Sequence, residues 1–192
     1  MLQQAQILDD YDIKLMSPAK RDHARVQARI NKIFNQALKE RDCEVYTESR
    51  PILIPKDILE KYRKLYGDKF KEQFPKKYVI PDIVVVCDKE IDKEIYIEGA
   101  PTLIVEILST KTMKIDTGYK KEMYEEIGVK EYWIVDPLYK YIEIFDFINN
   151  VSSFLSIEDI EESKEVGEEE LPMTSPIFPE LIFYLSFVFE GV

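Results

Sequence analysis

One histidine, His23, is all that this 192-residue chain contains, and the scarcity removes whole classes of chemistry. A multi-histidine metal site is excluded, and a Ser-His or Cys-His catalytic pair would have to use that single imidazole. The two cysteines, Cys43 and Cys87, lie in separate apolar or strand-like segments rather than in a spaced pair. Neither a disulfide framework nor a cysteine zinc site is expected from them. The six glycines are all at least ten positions apart, so no dinucleotide fingerprint or phosphate-cradling loop can be drawn through them. Apolar runs are short as well. The longest, Leu181 to Phe189, is interrupted by Ser186 and flanked by Glu180 and Glu190, about half of the ~20 residues a membrane span needs. Met1 to Asp12 lacks a basic-then-apolar leader pattern, and the expectation is a cytoplasmic protein with no membrane partner.

What is present is carboxylate and lysine chemistry on a chain long enough for one core. We read a single domain over 1–192, with its core at about 11–147, an acidic segment at 158–170 and an apolar tail at 176–189 that docks back on the core. The net charge of -11 argues against a phosphate-rich partner until it is located. From Glu143 to Glu170 ten acidic residues face one basic, a net of -9, whereas Lys56 to Lys77 holds eight basic residues against four acidic, a net of +4. Those cations form either a solvated face or a DNA track.

Ser17-Pro18 reads as a helix start, and Val26, Ile30, Ile33, Phe34, Ala37 and Leu38 continue at helical spacing to about Arg41. Short β-type runs follow at Glu44–Thr47 and Ile52–Ile54, then a charged helix or helix-loop over Lys56–Lys77. Tyr78–Cys87 and Thr102–Leu108 are rich in Val, Ile and Leu, as strands covered on both faces should be. Asp116–Ile127 turns helical with Gly128 placed to end it, Tyr132–Val135 returns to a buried strand, and Tyr141–Phe147 alternates like an outer one. Glu158–Glu170 is too poor in apolar residues to pack. This order predicts an α/β (α+β) core, a central mixed sheet flanked by helices.

Two acids sit where a strand core has little use for them. Asp82 follows Pro81 inside an apolar segment, and Glu106 interrupts Leu103–Leu108. A buried carboxylate needs a cation, a metal or a strand-end position. Carboxylates from neighbouring strands, with a backbone carbonyl such as that of Ile107, make a hard oxygen site for Mg2+ or Mn2+. Lys120 on the following helix, four residues before Tyr124 and four after Asp116, supplies an ammonium to orient water or stabilise phosphate charge. Together these groups suit metal-dependent phosphodiester hydrolysis.

The strings Pro81-Asp82, Pro101-Thr102-Leu103-Ile104-Val105-Glu106-Ile107-Leu108-Ser109, then Asp116, Lys120, Tyr124 and Gly128–Pro137 resemble the bacterial restriction-endonuclease family within the PD-(D/E)XK nuclease superfamily. Met16-Ser17-Pro18 followed by His23 is similar to its opening segment, and the likeness runs roughly from Tyr11 to Phe147, with a weaker echo at Pro179-Glu180-Leu181. The resemblance implies a restriction-endonuclease-like core that cuts DNA, Asp82 and Glu106 as metal ligands, and, by analogy, a homodimer. The superfamily's usual lysine, two positions after the glutamate, is replaced by Leu108, and the family pattern moves that role to Lys120. It also sets the first helix beside the site, where His23 becomes either a site residue or a structural histidine.

Ser109 would bond a ligand carboxylate or the phosphate, or cap its loop, and Asp116 would orient Lys120 or cap the helix. Tyr124 would present its hydroxyl or pack, and Trp133 belongs to the core. Two other readings stand beside the endonuclease: a nuclease-fold protein that binds nucleic acid or a protein without cutting, and an oligomerisation module built on the apolar tail.

Overall fold

The computed structural model describes residues 21–73, 77–109, 116–165 and 167–192, with the backbone alone at 68–73 and 116–117. The expected Ser17-Pro18 helix start lies outside these residues. Helix α1 (Arg21–Ala37) carries the predicted stripe, with Val26, Ile30 and Phe34 fully buried.

A six-stranded sheet runs in the order β1 (Glu44–Thr47), β4 (Ile83–Val86), β5 (Leu103–Ile107), β6 (Glu131–Asp136), β7 (Tyr141–Asp146) and β8 (Val151–Ser156). Only β5 and β6 pair in parallel, so the sheet is mixed. Two short pairs stand outside it: β2 (Ile52–Leu53) with β3 (Tyr78–Val79), and β9 (Met173–Thr174) with β10 (Ile182–Phe183).

Alternation along the central strands divides the core in two. Ile83, Val85, Leu103, Val105, Ile107, Trp133 and Val135 face α1 and the returning tail, where Leu181, Leu185 and Val188 are buried. Trp133 meets Phe34 edge to face, ring centroids 5.0 Å apart. The opposite face, with Val84, Val86, Ile104, Tyr132 and Ile134, is covered by α2 (Lys56–Gln73) and α3 (Lys121–Ile127) through Ile58, Leu59, Tyr62, Met123 and Tyr124. None of the described helices is long and apolar enough to cross a membrane.

Three local expectations change and one, the charged helix, is refined. Tyr78–Cys87 is two strands rather than one, because Pro81 cannot donate to a ladder and the chain switches partners there, from β2 to β1 and β5. The charged helix α2 is broken at Gly67, whose φ of 56° only glycine adopts without strain. The acidic segment does fold: Ser156 and Asp159 cap α4 (Ile157–Glu165) reciprocally, and Ile160 anchors it. Finally, Cys43 and Cys87 form a disulfide one position beyond the Glu44–Val86 rung of the β1–β4 pair. The absence of a spaced pair misled the sequence reading, since antiparallel register makes neighbours of residues 44 apart.

Gly128 closes α3 as expected, at φ 101°, with its N–H donated to the Glu125 carbonyl and that of Val129 to the Tyr124 carbonyl. An added Cβ would also stand 3.4 Å from the Ala100 methyl. Gly128→Ala should therefore cost about 1 kcal/mol, read as a lower urea midpoint.

Glu131 is fully buried and accepts hydrogen bonds from the Trp133 indole, the Ser175 hydroxyl and the Ile177 amide. Burial pushes its carboxyl above the usual range, against the pull of those three donors. A raised carboxyl binds its proton more tightly folded than unfolded, so this contribution is fully present below the unfolded pKa and declines as pH rises through the folded one. Glu131→Ala leaves two buried donors and the part-buried Ile177 amide unpaired and should lose about 3 kcal/mol, measured by equilibrium unfolding.

Candidate active site

Strand direction gathers charged residues at one end of the sheet. β1, β5 and β6 finish there and β4 begins there, which brings Glu48, Asp82, Glu106 and Asp136 to the same rim. One rung beyond the Ile83–Val105 pair, Asp82 falls opposite Glu106. Glu106 faces the side covered by α2 and α3, where it meets Tyr124, whereas Asp82 at the start of β4 makes its contacts with α1.

Asp82 is fixed from three directions. Its Oδ2 accepts the Ile107 backbone N–H at 2.6 Å, and its carbonyl accepts the Gln27 side-chain amide at 3.0 Å and the Glu48 backbone N–H at 3.2 Å. Its Oδ1 lies 3.4 Å from Nε2 of His23 on α1. Burial alone would lower the His23 pKa, but the hydrogen-bonding and negative charge of Asp82, the charge of Glu48 and the Ile107 carbonyl together raise it above its ordinary value.

Glu106 is 3% exposed. Its Oε1 accepts the Tyr124 hydroxyl at 2.8 Å and pairs with Lys120 Nζ at 2.8 Å. Lys120 ends a π-helical turn, Asp116–Lys120, that leads into α3, and this wider turn delivers the ammonium to the strand. Leu108 lies on the same face as Glu106 and is buried among the apolar residues there. Lys120 thus reaches Glu106 from the helical turn that follows β5 rather than from β5 itself.

Of the residues singled out in the sequence, the structure brings His23 and Ile107 to Asp82, and Lys120 and Tyr124 to Glu106. Ser109 follows β5 directly and is partly buried, whereas the Asp116 side chain lies outside the described residues. Glu48 escaped the sequence reading. Among the described residues, His23, Glu48 and Asp82 are the one set of three metal-ligating groups, their donor atoms all within 4.8 Å of one another. Glu48 also holds φ at 44°, a left-handed conformation uncommon for a residue with a Cβ. Its position directly after a short strand was the available signal, but sequence alone does not show which strand end meets Asp82.

A central mixed sheet flanked by helices, with Asp82 and Glu106 at one rim and a helix-borne lysine on the glutamate, defines a protein of the restriction-endonuclease-like fold. A solved structure described as a putative nuclease belonging to DUF820, from Anabaena variabilis, shares that fold, with a TM-score of 0.63 over 88% of this chain and 81% of its own at 17% identity. Residues 3–173 match the family model Uma2, described as "Putative restriction endonuclease", and the chain belongs to that family. It is also 26% identical over 115 residues to the protein slr1290 of Synechocystis, described only as uncharacterized; the match spans 60% of this chain and 51% of that protein, so about half of the relative's length is covered.

The donor set fits a divalent cation. Hard carboxylate oxygens from Asp82 and Glu48, with the His23 imidazole, are ligands that a divalent ion such as Mn2+ accepts.

Proposed function

We propose that this protein is a metal-dependent endonuclease that hydrolyses DNA phosphodiester bonds, with Asp82 and Glu106 holding Mg2+ or Mn2+, the Ile107 carbonyl assisting, and Lys120 acting at the phosphate. The observation that carries the reading is Glu106: a buried carboxylate opposite Asp82, held by Lys120 and Tyr124, on the rim of a nuclease-family sheet. When bound, the metal supplies a Lewis acid for a phosphoryl oxygen and an activated water.

The chain's own groups do the rest. The Ile107 amide locks one Asp82 oxygen, leaving the carboxylate little freedom to rotate. Tyr124 and Lys120 orient Glu106 in the same way, and preorganised ligands spare the reorganisation that would otherwise raise the barrier. Lys120 also sets an ammonium on Glu106, where charge would accumulate on a phosphate bound at this rim.

Charge does not oppose the substrate. The acidic stretch begins in β7 and is densest in α4, which follows β8 at the far edge of the sheet, three strands from β5, while α2 with its basic residues covers the face that carries Glu106. Cutting both strands of a duplex would call for two copies of the site, which favours a homodimer at work. The test is cleavage of supercoiled plasmid by purified protein in Mg2+ or Mn2+ against EDTA. Nicked and linear products in metal alone are expected, and uncut plasmid under every metal condition would replace this reading with the non-cutting, nucleic-acid-binding one that the buried Leu108 favours.

A further inference from the structure

We infer that His23, Glu48 and Asp82 form a divalent-cation position with an imidazole donor. It would select Mn2+-class ions over Mg2+. The inference deepens the metal-dependent reading of the same rim, but its claim concerns binding and is separable from cleavage.

Three different elements supply the donors: α1, the turn after β1, and the turn before β4. Their convergence is therefore tertiary and not a by-product of one local run of acids. The His23–Asp82 spacing of 3.4 Å is long for a charge-assisted hydrogen bond, which lies at about 2.7–2.9 Å. It does match the edge of a coordination polyhedron, because two donors each about 2.0–2.2 Å from one ion stand roughly 3.0–3.5 Å apart.

The ring's other nitrogen, Nδ1, is buried and has no hydrogen-bond partner. Glu48 adds a second carboxylate, held to the Asp82 backbone by its own N–H. Glu106 stands outside this group, with Oε1 already taken by Lys120 and Tyr124.

Donor chemistry then sets the ion. Mg2+ prefers oxygen and gives up its water reluctantly, whereas Mn2+ and the later divalent ions accept imidazole nitrogen readily. A single histidine suffices for that bias.

Pulsed EPR of Mn2+ bound to the wild-type chain, together with calorimetry on His23→Gln, Glu48→Gln and Glu106→Gln, tests the site. Nitrogen hyperfine coupling is expected in the wild type and in Glu106→Gln, and should vanish in His23→Gln. Mn2+ affinity should fall at least about tenfold in His23→Gln and Glu48→Gln, with the preference over Mg2+ reduced in the former. Bound Mn2+ without nitrogen coupling, unchanged affinity in both variants, or no Mn2+ binding at all would overturn the inference. Failure of the endonuclease reading looks different: Mn2+ bound with nitrogen coupling, and plasmid left intact.

Discussion

Asp82→Asn and Glu106→Gln should each lower metal-dependent plasmid cleavage by about 1,000-fold or more, because the loss of a ligand carboxylate forfeits several kcal/mol of transition-state stabilisation. Isosteric amides are the informative choice. Glu106→Ala would strand a Lys120 ammonium whose side chain is 14% exposed, together with a Tyr124 hydroxyl in the core. Removing one partner of such a buried pair typically costs 3–5 kcal/mol of stability, and unfolding would be mistaken for lost catalysis. Glutamine keeps the volume and an oxygen for the tyrosine. Near-wild-type urea midpoints with lost cleavage are the expected pair of results. Cleavage within a few fold of wild type in either amide variant would remove these carboxylates from the chemistry.

Lys120→Met should reduce the cleavage rate by roughly 100- to 1,000-fold, the range for removing one group that stabilises transition-state charge. Mn2+ affinity should not weaken, since the substitution takes a positive charge away from Glu106. That split between binding and rate separates a catalytic amine from one that merely holds the glutamate. The double variant Lys120→Met/Leu108→Lys sharpens it. Leu108 shares the face of Glu106 two residues on, just past the end of β5, so a lysine there offers its amine to the same carboxylate from the strand side. Partial recovery of cleavage over Lys120→Met is expected in the double variant, read as a single-turnover rate. Equal rates for wild type and Lys120→Met would show that the lysine takes no part.

How much of this was legible follows from what one residue's neighbours can say. The apolar stripe of α1, the Val- and Ile-rich β4 and β5, and the glycine after α3 are local patterns, and they fold as their spacing predicts. Asp82 and Glu106 stood out as charges in apolar runs, and Lys120 by its place in the family pattern. What the sequence concealed depends on register. That Glu48 reaches Asp82, and that Cys43 meets Cys87, follow from the antiparallel pairing of β1 with β4. Composition misled in one place, where the acidity of α4 hid the Ser156–Asp159 capping pair and a single anchoring isoleucine.

The central claim is that a divalent ion is held at the rim by Asp82 and Glu106. Anomalous diffraction from crystals grown in Mn2+ tests it most directly. The account predicts a manganese peak within bonding distance of an Asp82 oxygen on the Glu106 side, with the Lys120 amine beside it. Crystals saturated with Mn2+ that show no peak against either carboxylate would contradict it.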